Sequence, residues 1–215
     1  MGHKKSISFG VTEVGDSISI SWSGATPSNQ IETKSIKKET QNTSLSKPTT
    51  PKKEGEIESI QAIADNESSV LILGTMPGVE SLKQQAYYSH PRNLFWRLID
   101  EVVGSESPKT YEDRVAYLKE NKIALWDMCQ SCIREGSLDS NISEETPNDI
   151  TSFVADHPSI KAIAFNGASA AKLFKKHVGQ INGVQLVHLP STSPANAGIK
   201  WETKVEEWSE LKEYL

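Results

Sequence analysis

Cysteine is scarce in this chain, with Cys129 and Cys132 the only two among 215 residues. Two thiols cannot build a disulfide framework or a four-cysteine zinc site, and they fit a reducing compartment. Long apolar runs are missing as well. No stretch reaches the roughly 18 apolar residues of a membrane span. The N-terminal Met-Gly-His-Lys-Lys runs into Ser and Thr rather than into the apolar core of a secretion signal. A cytoplasmic protein, or a nuclear one in a eukaryote, is expected, with no membrane partner and no export. Basic charge is not in excess either: 23 Lys+Arg face 28 Asp+Glu, a net charge of −5. That balance argues against a protein that grips nucleic acid by bulk charge, though not against one that uses a small local patch.

Aromatic residues are absent from residues 25–56, where two isoleucines and one leucine stand in a background of Ser, Thr, Lys, Gln and Pro. Such a segment cannot bury enough apolar area to offset its ordering entropy, and it reads as a disordered linker. Before it, residues 1–24 hold an alternating stretch, Ser6 to Trp22, around Val14-Gly15-Asp16-Ser17. That is a hairpin pattern, marginal if left alone. The acidity belongs to the remainder: residues 1–56 carry a balance of +2 and residues 57–215 one of −7.

From residue 57 onward, short apolar runs alternate with helical spacing. Strands are expected at Ser68–Leu73, Ile123–Trp126, Ile160–Phe165 and Val184–His188. Helices are expected from Asn93 to Val103 with Asn93 as N-cap, at Tyr111–Glu120, from Thr146-Pro147 to about His157, at Ala168–Val178 and at Trp201–Tyr214. The pattern is that of an α/β fold in three layers, an open, mostly parallel four-stranded sheet with helices on both faces. A monomer is expected.

In such sheets ligands bind beyond the carboxyl ends of the strands. The loops there are Gly74-Thr75-Met76-Pro77-Gly78, Asp127-Met128-Cys129, Asn166-Gly167 and Leu189-Pro190-Ser191-Thr192-Ser193-Pro194. Each suits a plain turn; together they suit a pocket. Nucleotide motifs do not fit it: Gly74–Gly78 lacks the Gly-Lys-Ser/Thr ending of a P-loop, and no Gly-x-Gly-x-x-Gly follows a strand. Cys129-x-x-Cys132 lacks a second ligand pair, and the five histidines show no metal spacing. Half-buried structural thiols and no metal are expected. Without a Gly-x-Ser-x-Gly elbow, Ser191 and Ser193 make poor nucleophiles.

The first loop leads to Tyr87-Tyr88-Ser89-His90-Pro91-Arg92-Asn93-Leu94-Phe95-Trp96. Ring faces, donors and one cation at a helix entrance could sandwich a planar heterocycle and touch a phosphate. Phe95 and Trp96 fit the core better, whereas Tyr88 precedes the helix and suits stacking.

Taken in order, the Gly74–Gly78 motif, the Tyr88–Trp96 motif and the Leu189–Pro194 motif resemble those of the uracil-DNA glycosylase superfamily. The pattern most resembles the hypoxanthine-DNA (deoxyinosine) glycosylases. The mismatch-specific uracil/thymine glycosylases share its first motif and its His-Pro-x-Asn-x-Phe-Trp run. The likeness spans about residues 57–215. It implies a DNA repair enzyme that flips a deaminated base, hypoxanthine or uracil, out of the duplex and hydrolyses its N-glycosidic bond without a cofactor, leaving an abasic site.

By the same resemblance, Tyr88 stacks on the flipped base, and Asp127 stands where uracil-specific relatives read the base edge with asparagine. The resemblance also has Pro190-Ser191-Thr192-Ser193 pressing into the duplex, while the loops themselves suggest that His90 and Asn166 complete the pocket and that Arg92 faces DNA. Met76 occupies the place of the catalytic asparagine of the mismatch-specific enzymes. In the hypoxanthine family that role falls to Asn93. A helix cap remains the other reading of Asn93, and a loop cap that of Asp127. Asn93 would orient water, while backbone N–H groups of Gly74–Gly78 and the Thr75 hydroxyl receive charge on the base. DNA contacts are expected near Arg92, Lys172, Lys175 and Lys176, with a shallow salt dependence. Met76 also motivates a second reading, a DNA- or nucleobase-binding module without catalysis.

Overall fold

Val70, Leu71, Ile72 and Leu73 are all 0% exposed, the condition of a central strand covered on both faces. They belong to a computed structural model that describes residues 9–14, 17–22 and 53–215. The chain divides into two units, residues 1–48 and 49–215. In the first, β1 (Phe9–Val14) and β2 (Ser17–Trp22) pair antiparallel, from Phe9 opposite Trp22 to Val14 opposite Ser17. The linker expected over 25–56 lies outside the described residues up to residue 52. Its last residue, Glu56, opens β3 (Glu56–Glu58), so a strand straddles the expected boundary.

The second unit is built on four parallel strands. β4 (Val70–Gly74), β5 (Ile123–Asp127), β8 (Ala162–Asn166) and β9 (Gln185–Leu189) lie in the order β5-β4-β8-β9. Side chains alternate across the sheet. Val70 and Ile72 join a core with α2 (Phe95–Val103), α3 (Tyr111–Glu120) and α6 (Trp201–Trp208). Leu71 and Leu73 join another with α4 (Ile150–Asp156) and α5 (Ala168–His177). The expected three-layer α/β fold is therefore present. No helix among the described residues is long and apolar enough to cross a membrane.

Two features depart from the sequence expectation. A second, antiparallel sheet joins β3, β6 (Cys129–Ile133) and β7 (Ser143–Pro147) in the order β3-β6-β7. Thr146 and Pro147 therefore end a strand, opposite Ser131 and Cys129, rather than opening a helix. The cap of α4 is Asp149, whose carboxylate accepts from Ser152 N–H at 2.9 Å. A short helix α1 (Val79–Gln84) also follows the first loop.

The chain runs from β4 outward to β5, then crosses back to β8 on the other side. The crevice of a doubly wound sheet opens at that switch point, beyond the carboxyl ends. Gly74 stands opposite Asp127, and Asn166 opposite Leu189, so one edge of the sheet gathers all four site loops.

Candidate active site

A cavity of about 910 Å³ opens at this edge, and residues from all four loops line it. Gly74 is the most tightly packed of the glycines that line it. A Cβ there would lie 2.4 Å from Asp127 Oδ1 and 3.1 Å from the Tyr88 hydroxyl. Only glycine lets β4 end with both groups against its backbone.

Asp127 is 3% exposed and accepts from the Ser59 hydroxyl at 2.8 Å. Burial pushes its pKa up to about 7, the Ser59 hydrogen bond opposing the shift and the nearby Asp139 adding to it. The carboxyl is thus poised between its neutral and charged forms near neutral pH. Its own backbone carbonyl accepts from Asn148 Nδ2 at 2.9 Å.

Tyr88 adopts a left-handed φ of 54°, a costly conformation for a bulky residue. Two contacts hold it there. Its ring stacks on Phe95 with centroids 3.9 Å apart and planes 16° apart, and its hydroxyl accepts from Asn166 Nδ2 at 2.9 Å. Asn166 is fully occupied by such work. Its second amide hydrogen goes to Thr192 Oγ1 at 3.0 Å, and its oxygen accepts from Thr192 N–H at 2.9 Å. Asn166 therefore lines the cavity as a brace between two walls, with no amide hydrogen left for a base.

Thr75 and Met76 also turn out to be engaged. The Thr75 hydroxyl donates to Asp139 Oδ2 at 2.8 Å, so it is not free to receive charge from a base. Met76 packs on Cys129 and Cys132 in a small buried cluster, and burial pushes the Cys129 thiol up to about 12. Both cysteines are free and buried. Among the described residues no three His, Cys, Asp or Glu side chains gather as metal ligands.

Asn93 lines the cavity. Its side-chain oxygen accepts from Phe95 N–H at 2.9 Å, so it tethers the first turn of α2 although that helix begins at Phe95 with Leu94 in the cap position. One oxygen lone pair and the amide NH₂ remain outside that bond. The turn ahead of it is fixed by Asn93 N–H on the His90 carbonyl at 2.8 Å and Arg92 N–H on His90 Nδ1 at 3.2 Å. His90 lines the cavity, while Arg92 is exposed outside it.

The Pro190–Ser193 segment, expected to press into the duplex, forms one wall of the cavity. Pro190 is buried and its carbonyl accepts from Trp208 Nε1 at 3.0 Å. The Ser191 carbonyl accepts from Lys204 Nζ, and the Thr192 carbonyl from Leu94 N–H at 3.0 Å. Thr192 is 0% exposed, and the Ser193 hydroxyl accepts from Ala195 N–H at 3.2 Å. Carbonyls and side chains of the segment are in this way tied back into the fold. The large apolar side chains exposed among the cavity-lining residues are Leu138 at 53%, Val79 at 48% and Ile199 at 36%. Leu138 and Val79 come from adjoining segments, since Val79 N–H donates to Ser137 Oγ at 3.0 Å.

The expected basic patch is smaller than its lysine count. Lys176 is ion-paired with Glu145, which also takes a hydrogen bond from His177. Together with its other hydrogen bonds, this holds the Glu145 carboxyl down at about 2. Among the lining residues of the main cavity, Glu80, Asp127, Asp139 and Glu207 are acidic and none is Lys or Arg. Sequence reading passed over Ser59, Asp139, Leu138 and Arg134, which sit outside every motif and reach the site only through folding.

A family model of the uracil DNA glycosylase superfamily matches residues 61–213. A protein of Methanosarcina acetivorans named hypoxanthine DNA glycosylase is 36% identical over 148 residues, covering 68% of this chain and 92% of that protein. A protein of the same name from Methanosarcina barkeri is 34% identical over 135 residues, covering 62% and 84%. The solution NMR structure of a candidate uracil DNA glycosylase from M. acetivorans superposes with a TM-score of 0.64 at 32% identity, covering 74% of this chain and 98% of that one.

Proposed function

We propose that this chain, which belongs to the uracil DNA glycosylase superfamily, excises hypoxanthine from DNA. It is a DNA N-glycosylase, and the choice of base is the step argued here. The carrying observation is the buried Asp127 carboxyl beside Gly74, with a pKa near 7. In its neutral form it donates to a lactam oxygen and accepts from the adjacent ring N–H, a pair that hypoxanthine and uracil both present, so the choice between them rests on the relatives. It also leaves no negative charge facing a departing base anion. The names of the two relatives favour hypoxanthine.

The base first leaves the stack, at a cost of a few kcal/mol that is smallest for a damaged or mispaired base. Leu138, Val79 and Ile199 at the cavity mouth fill the vacated space with apolar area. Tyr88, braced by Asn166, walls the pocket. The C1′–N bond then breaks with its electron pair leaving on the base. Water held by the free amide groups of Asn93 bonds to C1′ and loses its proton to solvent, and the base is protonated after release. Asn93 cannot take that proton itself, because a carboxamide has no useful basicity. Its contribution is position.

Deoxyinosine and uracil duplexes incubated with the protein and then treated with alkali test this reading. Strand breaks are expected at inosine, and to a lesser extent or not at all at uracil. Asn93→Ala should slow cleavage at least about 100-fold. Unchanged cleavage in that variant would remove Asn93 from the mechanism, and duplex binding without breaks would favour the binding module.

A further inference from the structure

We propose that Arg134 is a positioning residue for the departing base: it orients the Gly78 N–H toward the cavity and puts a positive charge behind the wall that faces the base. The inference rests on the glycosylase reading above and goes beyond it by naming the source of positive potential.

Arg134 directly follows β6 and is 6% exposed. Its guanidinium donates to the carbonyls of Met76 at 3.3 Å, Pro77 at 2.5 Å and Gly136 at 3.1 Å. No described carboxylate lies within ion-pair distance of it. A buried cation whose hydrogen bonds all go to carbonyls is expensive to keep, and its charge reaches the Asp127 carboxyl only as a weak pull toward the ionised form. A neutral donor such as a glutamine amide could hold part of the same loop without a buried charge, so the charge itself calls for a use.

The adjoining cavity supplies that use. Its ionisable lining includes Glu80, Asp127, Asp139 and Glu207 without Lys or Arg, yet the chemistry releases a base carrying a negative charge. The Gly74–Gly78 loop lies between that charge and Arg134. Among the described residues there is no cis peptide bond, and in a trans peptide the C=O and N–H point in opposite directions. Arg134 draws the Pro77 carbonyl toward itself, so the Gly78 N–H points away from it, and Gly78 lines the cavity. Gly78 N–H has no partner among the described groups, whereas the next N–H, of Val79, is taken by Ser137. A charge-assisted bond on the carbonyl polarises the same peptide and strengthens its N–H as a donor. Proline at 77 adds no competing N–H.

Three variants test the assignment. Arg134→Gln keeps donors for the carbonyls and removes the charge. Arg134→Lys keeps the charge and removes the fork. The third replaces the Pro77–Gly78 amide by an ester, deleting the N–H with Arg134 intact. Each is read by thermal melting, by affinity for a duplex carrying non-cleavable 2′-fluorodeoxyinosine, and by single-turnover excision. Arg134→Gln should bind within about threefold of wild type and excise about 100-fold more slowly, since the interaction matters only as the base leaves. Arg134→Lys should recover part of that loss, and the ester should lose a comparable factor. A merely structural latch predicts that binding and rate fall together and that Lys does no better than Gln. Either of those results, or an ester variant at wild-type rate, overturns the proposal even where Arg134→Gln fails to fold. A wild type inactive on every deaminated base overturns the glycosylase reading and this one with it.

Discussion

The Asn166 carboxamide donates to the Tyr88 hydroxyl at 2.9 Å, tying the end of β8 to a residue held in a left-handed conformation. The same side chain anchors Thr192 twice. Asn166→Ala should therefore cost about 1–3 kcal/mol, the range for leaving buried polar groups unpaired. It should also slow excision by releasing Tyr88 and the Pro190–Ser193 wall. Denaturant unfolding and an excision assay on the same preparation check both. Wild-type stability would mean that the brace carries no energy.

Gly74→Ala isolates the close approach at the floor. The new methyl would meet Asp127 Oδ1 at 2.4 Å, and that carboxyl cannot retreat without breaking its bond to Ser59. A loss of about 1–3 kcal/mol is expected from overpacking, with excision falling further than the folded fraction. Equal losses of activity and of folded protein would show that Asp127 has no separate part in the reaction.

The raised pKa of Asp127 makes both stability and activity depend on pH, in a stated direction. The folded state holds this proton more tightly than the unfolded chain. The stabilisation is complete below the ordinary carboxylate range and is lost as pH rises from there through about 7. Asp127→Asn should remove that decline and be the more stable protein at pH 8. Excision by wild type should fall above pH 7 as the neutral form disappears. The same falling limb in Asp127→Asn would assign it to another group.

Leu138 is the most exposed of the apolar residues at the cavity mouth, so Leu138→Ala leaves the core untouched. Excision from duplex DNA should fall about tenfold, the effect of roughly 1.4 kcal/mol of lost apolar contact. Excision from single-stranded DNA, where there is no stack to fill, should be unchanged. A 2-aminopurine beside the inosine would report the flipping step. Equal effects on both substrates would remove Leu138 from that step.

The strands and most helices were readable because burial of a parallel sheet demands unbroken apolar runs such as Val70–Leu73, and helices advertise their buried face by spacing. The first loop, the Tyr88–Trp96 stretch and the Leu189–Pro194 segment were readable as motifs for the same local reason. Local preference misled at Thr146-Pro147, where a cap-and-proline pattern lost to pairing with β6 and Asp149 supplied the cap. It was silent at the last loop, whose carbonyls are bonded to Trp208, Lys204 and Leu94, partners distant in the chain.

By itself the sequence determined the layered sheet and the edge where the loops converge, and its resemblance to known glycosylases pointed to Asn93, Tyr88 and Asp127 as the residues to watch. Only the tertiary structure decided what each of them has left to offer. A side chain's chemistry is fixed by its type, but its availability depends on partners distant in the chain. Asn166 lost its hydrogens to Tyr88 and Thr192, Asp127 gained its pKa from burial, and Arg134 was brought behind the Gly74–Gly78 loop by a strand that no local pattern announced.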